Sequence, residues 1–221
     1  MKLFFIVDDK ENSMFYYYIH EKNERKLIQL APNLMINGKH LGKIYSDSTI
    51  SSFLDEFSKN LAVTIDYYCC IPLNYLAEMV LNKNKVFLMQ PNKAFEMCNI
   101  SFNEKHIAEV DSKTLLKCIS YQEENENAAV VFDRQEYILR IYKQKIIKDI
   151  SFKQVIGMYQ DLKQNVSTNI LPKNILSFFG LLNKTNKKIN RLMLPSNHDS
   201  SKNEEETKVI LTKFIKGEEQ K

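Results

Sequence analysis

The chain opens on three β-rich runs. Residues 2–8 and 14–20 are separated by the polar Asp8 to Ser13, and Arg25 to Leu30 supplies a third after Lys22-Asn23-Glu24. Breaks this short predict hairpin connections. Pro32-Asn33 closes the section, and Asn37-Gly38 is a strong turn signal. From Asp47 the period changes. Ile50, Phe53, Leu54, Phe57 and Leu61 recur at three- and four-residue spacing, which predicts an amphipathic helix packed on a sheet, with Asp47 or Ser48 as its cap. Val63 to Cys69 reads as a strand, Leu73 to Leu81 as a helix and Val86 to Met89 as a strand. Strand, helix and strand in succession predict a crossover unit, joined to an antiparallel portion from the opening runs.

Two further helical patterns, Leu115 to Ile119 and Tyr137 to Tyr142, flank the acidic loop Gln122 to Asn127. The turn Phe132-Asp133-Arg134-Gln135 leads into the second of them. Asp133 suits the N-cap there, with Glu136 as the reciprocal half of a capping box. At about 100° per residue Arg134 shares a face with Ile138 and Ile141, the side a helix turns inward. A guanidinium on that face needs a partner, because a lone buried charge is costly. It either snorkels to the rim or pairs with a buried carboxylate, or else it lines a pocket for an anion such as phosphate, whose oxygens suit the planar fork. Phe152, Val155, Ile156, Tyr159 and Leu162 make another amphipathic pattern ending near Gln164. Leu171-Pro172 opens a helix through Leu182, with proline in the first turn where its missing N–H costs nothing, and Ile189 to Leu194 is a last strand. Pro195 to Thr207 reads as a charged loop or linker, and Val209 to Ile215 as a terminal helix. The organisation is therefore one α/β domain over residues 1–195, a central mixed sheet flanked by helices in an α-β-α sandwich, with 196–221 as a polar linker and C-terminal helix.

Composition narrows the chemistry more than it directs it. The 221 residues are 44% hydrophobic and 26% charged, ordinary values for a globular chain long enough to bury a core. A net charge of +4 with interleaved signs, and no basic stripe with spaced aromatics, argues against nucleic acid. The basic excess is lysine, the only arginines being Arg25, Arg134, Arg140 and Arg191. No apolar run approaches the roughly 18 residues that span a bilayer, and the opening apolar run reaches Asp8-Asp9 too soon for a signal peptide. Cys69, Cys70, Cys98 and Cys118 form no C-x-x-C pair and read as reduced, buried thiols. His20, His40, His106 and His198 lack ligand spacing. Neither a glycine-rich phosphate loop nor a nucleophile elbow is present. Asp8-Asp9, at the end of a central strand, either holds a hard cation such as Mg²⁺ or is a solvated turn pair.

In this order the elements resemble the LytR-CpsA-Psr family over nearly the whole chain. The apolar strand running into Asp8 or Asp9, and Asn12-Ser13 before Met14, are similar to that family's opening. Leu30-Ala31-Pro32-Asn33-Leu34 stands where it has a strand into Pro-Arg-Asp, and Ile65-Asp66-Tyr67-Tyr68 resembles its Ile-Asp-Tyr-like turn. Val110 to Gln122 looks like its Leu-Asp-Gly segment, and Arg134-Gln135 like the Arg-Gln that opens the following helix. Val166-Ser167-Thr168-Asn169 and Leu192-Met193-Leu194-Pro195 resemble its closing elements. The resemblance implies an α/β domain that moves a glycopolymer from a polyprenyl-pyrophosphate carrier to peptidoglycan. Arginines and aspartates would hold the pyrophosphate and Mg²⁺, and an apolar tunnel the lipid.

The departures remove charge. Ser120 and Gln122 stand in place of paired arginines, Asn33 and Leu34 in place of Arg-Asp, Asn12 in place of an aspartate and Val131 in place of an arginine. Transfer from a pyrophosphate requires its developing charge to be neutralised, and losing one well-aimed donor costs on the order of a hundredfold. The resemblance thus implies a catalytically degenerate domain that acts as a ligand-binding or interaction module. Arg134, Gln135, Ser120, Gln122 and Asn33 lie on the phosphate side of its cleft, and Asp8 and Asp9 are candidates for Mg²⁺. The alternative is an active Mg²⁺-dependent phosphotransferase, and a third reading is an unrelated α/β domain, signalled by hairpins where crossovers are expected. A polyprenyl-phosphate lipid or a protein is the expected partner. The domain is cytoplasmic if Met1 is the natural start, and extracellular and membrane-anchored if an anchor was removed.

Overall fold

Strand β1 (Lys2–Asp8) lies inside a six-stranded mixed sheet, between β2 (Met14–Glu21) and β6 (Tyr67–Pro72). The computed structural model describes residues 1–21, 24–81, 87–89, 95, 98, 100–105, 107–120, 131, 134–140, 162–171, 173–174, 189–194 and 204–218. The chain divides into two compact units, Met1–Ile71 with Val166–Lys221, and Pro72–Asn165.

In the first unit the opening runs form the predicted antiparallel hairpins, β1 with β2 and β2 with β3 (Glu24–Leu30). Strand β10 (Asn190–Leu194) adds in parallel beside β3, and the two-residue β9 (Ser167–Thr168) closes the other edge against β6. Because side chains alternate across a strand, Phe4, Ile6, Phe15, Tyr17, Ile28, Leu30 and Leu194 share one buried core. The helix Ile50–Leu61 covers that core with Phe53, Leu54, Phe57 and Leu61, the residues its period predicts. Its cap is Thr49, whose Oγ1 accepts from Ser52 N at 3.3 Å, rather than Asp47 or Ser48. Those two are engaged by a short helix, Leu41–Ser46, which no period announced; Asp47 N bonds Lys43 O and Ser48 N bonds Tyr45 O. Thr49→Ala is expected to cost about 1 kcal/mol, the usual worth of an N-cap, read as a lower urea midpoint at unchanged slope. A loss that appears in Ser48→Ala instead would refute the assignment. Asn37 (φ 51°) and Gly38 (φ 71°) make the left-handed turn between β4 (Met35–Ile36) and β5 (Lys39–His40), as the Asn-Gly pair predicts.

Three expectations need correction here. The strand read over Val63 to Cys69 begins only at Tyr67 and runs to Pro72. Before it, Asp66 brackets the start of β1, its N–H donating to Lys2 O at 2.9 Å and its carboxylate accepting from Lys2 N at 2.7 Å. The charged stretch read as a loop through Thr207 is helical from Glu204, and Thr207 is buried. Glu204, Glu205 and Glu206 sit at that helix's N-terminus, where negative charge is stabilising, so they start the helix rather than solvate a linker. The helix Glu204–Lys216 packs Leu211 into the main core. Its ends are held by Asn37 N donating to Glu204 Oε2 at 2.7 Å and the buried Lys26 Nζ donating to Ile215 O at 2.8 Å.

The third correction lies in the second unit. The helix Leu73–Leu81 forms as predicted, but β7 (Phe87–Met89) does not return beside β6. It pairs antiparallel with β8 (Ala108–Val110) in a separate two-stranded sheet. The place next to β6 is taken by β9, from far along the chain, so no crossover forms there. The helix Ser112–Ser120 follows, capped by Asp111, whose Oδ1 accepts from Thr114 N at 2.6 Å. Residues 134–140 are helical, as is Val131, while Asp133, Gln122 and most of the 141–161 and 175–188 patterns lie outside the described residues. Among the described residues no helix is long and apolar enough to cross a membrane.

Candidate functional site

Arg134 lies on the inward face that its spacing predicts, with 0% exposure, and is the largest of the fully buried side chains. It does not reach the rim, and its Nε donates to the carbonyl of Cys118 at 3.0 Å. Gln135 beside it is buried and donates from Nε2 to Ile119 O at 3.3 Å. Cys118 and Ile119 belong to the last turn of the Ser112–Ser120 helix, where carbonyls lack intrahelical partners. One helix therefore opens by capping the end of another. A cation at a helix C-terminus is also favoured by the macrodipole, which adds to the reason a guanidinium is tolerated in this interior. Gln135 Oε1 is buried with no hydrogen-bond partner, an acceptor still open to a donor. Ser120, at the end of the capped helix, is exposed. Arg140 stands over the Tyr137 ring, 5.4 Å from its centre.

The remaining candidates belong to the first unit. Asp8 ends β1, and its Oδ1 accepts from Lys10 N at 3.2 Å and from the fully buried Ser13 Oγ at 3.4 Å. Ser13 Oγ also donates to Lys10 O at 2.6 Å and accepts from Asp9 N at 2.9 Å, which ties the turn around the left-handed Lys10 (φ 57°). The sequence offered no sign of what lies beyond. Tyr45, on the unannounced Leu41–Ser46 helix, is hydrogen-bonded to Cys70, its hydroxyl 3.1 Å from Cys70 Sγ. Burial, then Cys70, then Asp8 raise the Tyr45 hydroxyl, and burial raises Cys70 and pushes Cys69 up to about 12. These thiols are protonated and inert at neutral pH. Asn33 is exposed and its carbonyl accepts from His40 Nδ1 at 3.0 Å.

Magnesium asks for one or two carboxylates plus phosphate oxygens and water. Asp8 ends β1 with Asp9 directly after it, and Asp8 already accepts from Ser13 and Lys10. Among the described residues no three His, Cys, Asp or Glu side chains gather to hold a metal ion. Asp8 and Asp9 are the carboxylates that would contact such a cation.

Solved structures match this arrangement of elements. Lmo1026 from Listeria monocytogenes aligns with a TM-score of 0.67 at 13% identity, covering 100% of this chain and 96% of that one. TagU of B. subtilis aligns at 0.62 and 14% identity, covering 100% and 97%. The fold is that of the LytR-CpsA-Psr proteins. TagT of B. subtilis aligns at 0.67 and 12% identity over 96% of this chain and 89% of its own, and so does TagT bound to LI-WTA. No protein-family model matches the sequence, and no curated protein does. Identities this low carry the fold and leave the chemistry to this chain's own residues. The β7–β8 hairpin, which taken alone points to an unrelated α/β domain, therefore sits within a LytR-CpsA-Psr-like fold.

Proposed function

We propose that this chain is a catalytically degenerate LytR-CpsA-Psr-type domain that binds the anionic head of a polyprenyl-phosphate lipid in work related to cell-envelope glycopolymer attachment, without turning it over. The observation that carries the reading is the fully buried Arg134, which stands at the position resembling the family's Arg-Gln pair. It is supported by the fold this chain shares with TagT, which binds LI-WTA. Catalysis is the part given up. Ser120, Gln122, Asn33, Leu34, Asn12 and Val131 carry no charge where the resemblance implies charged groups, and pyrophosphate chemistry depends on those charges.

Incubating the purified chain with a polyprenyl pyrophosphate tests both halves. The expected result is saturable binding with no phosphate release above the buffer blank, with or without Mg²⁺. Arg134→Lys keeps the charge but loses the planar fork, and should weaken binding about tenfold. Mg²⁺-dependent hydrolysis lost in that variant would establish the phosphotransferase reading instead. Absence of binding by a folded chain would leave a protein-interaction module.

A further inference from the structure

The turn at Asn37-Gly38 does not take part in that reading, and it is where the C-terminal helix is tied down. It joins β4 to β5, a hairpin of two residue pairs, Met35 with His40 and Ile36 with Lys39. Both turn residues are exposed and left-handed, with φ of 51° and 71°. Asn37 N donates to Glu204 Oε2 at 2.7 Å, so the turn holds the first residue of the helix Glu204–Lys216. The rest of that helix is fixed separately, by Leu211 in the core and by Lys26 Nζ on Ile215 O.

We propose that Asn37 is a site of spontaneous deamidation, and that its conversion to aspartate or isoaspartate releases the start of the C-terminal helix. Gly38 has no side chain to shield its nitrogen, and a Cβ built there would meet nothing within 4 Å, so water and hydroxide reach the turn. Hydroxide takes the proton from Gly38 N, and that nitrogen attacks Asn37 Cγ. The N–Cγ bond forms, the bond from Cγ to the side-chain nitrogen breaks, and ammonia leaves with a proton from water. A second water then opens the five-membered ring, at Cγ to give aspartate or at the main-chain carbonyl carbon to give isoaspartate. One water is consumed and one ammonia released, with no oxidation or reduction. The attack requires the turn to swing Gly38 N over Asn37 Cγ, and a hairpin this short opens locally at little cost. Asn12-Ser13, the chain's one Asn-Ser pair, lacks this freedom, since Ser13 is fully buried and its N donates to Lys10 O at 3.2 Å. Either product adds a carboxylate at the residue that holds the Glu204 carboxylate, and the like charges repel. Isoaspartate also adds an atom to the main chain of a two-residue loop, whose length sets the register of its hairpin.

The test holds the full chain in mildly alkaline buffer, maps its peptides by mass over time, and scores isoaspartate by enzymatic methyl transfer. Asn37 is expected to convert, with ammonia released in step, while Asn12 keeps its amide. Backbone amides of residues 207–210, in the first turns of the helix, should then exchange about tenfold faster, and those of 212–216 as before. Asn37→Gly keeps a left-handed turn and its N–H but has no side-chain amide to lose, so its helix should stay protected through the same incubation. Asn37→Asp carries the charge from the outset and should show the faster exchange without incubation. An intact amide at Asn37 after the incubation, or conversion there with unchanged exchange at 207–210, overturns the proposal. Neither readout requires the chain to bind a lipid.

Discussion

Phe53→Ala is expected to remove about 4 kcal/mol of folding stability, within the range for emptying a buried phenylalanine site. Phe53 has 0% exposure at the centre of an aromatic cluster. Its ring lies 5.9 Å from Phe4, 5.5 Å from Phe15, 5.2 Å from Tyr45 and 6.2 Å from Phe57. Those neighbours come from β1, β2 and two helices, so the hole left by truncation cannot be closed by moving one element. The contacts with Phe4 and Tyr45 are edge-on, a geometry that adds roughly 0.5–1.5 kcal/mol per pair beyond the buried area. Phe53→Leu keeps most of the volume and should cost only about 1.5 kcal/mol. Urea unfolding followed by far-ultraviolet circular dichroism reads both as midpoint shifts at constant slope. Equal losses for the two variants would mean that the ring geometry, and not the volume, holds this layer together.

Arg134→Ala should be the costliest change in the second unit, at about 3 kcal/mol or more. The substitution empties the largest fully buried side chain and leaves the Cys118 carbonyl, at the end of a helix, without its Nε donor. Arg134→Met fills the space without the charge. Replacing a buried ionic group by a well-packed apolar one is often near neutral, so methionine should recover part of the loss and the uncapped carbonyl the rest. Hydrogen exchange locates the effect, with protection falling first at residues 112–120. The comparison also separates two roles of one residue. A variant with wild-type exchange and weakened lipid binding assigns Arg134 to ligand, whereas loss of protection in methionine and alanine alike assigns it to the capped helix end.

How much could be read before folding depends on how local each signal is. The hairpins β1–β2–β3 and the helix over Ile50–Leu61 were legible because their periods and turns lie within a few residues of one another. The Leu41–Ser46 helix is too short to show a period, yet it brings Tyr45 to Cys70. The two-residue β9 has no pattern at all. It exists because Thr168 and Ser167 pair with Cys69 and Cys70 across a long separation in sequence. Glu204 to Glu206 looked like solvated linker because composition cannot show that a helix begins beneath three glutamates.

The same division runs through the candidate site. By itself the sequence determined that Arg134 turns inward, since a helix of fixed period puts it on the face of Ile138. Only the tertiary structure decided what the guanidinium meets. Its Nε meets the carbonyl of Cys118, a backbone atom that every residue carries and that no pattern of side chains can advertise.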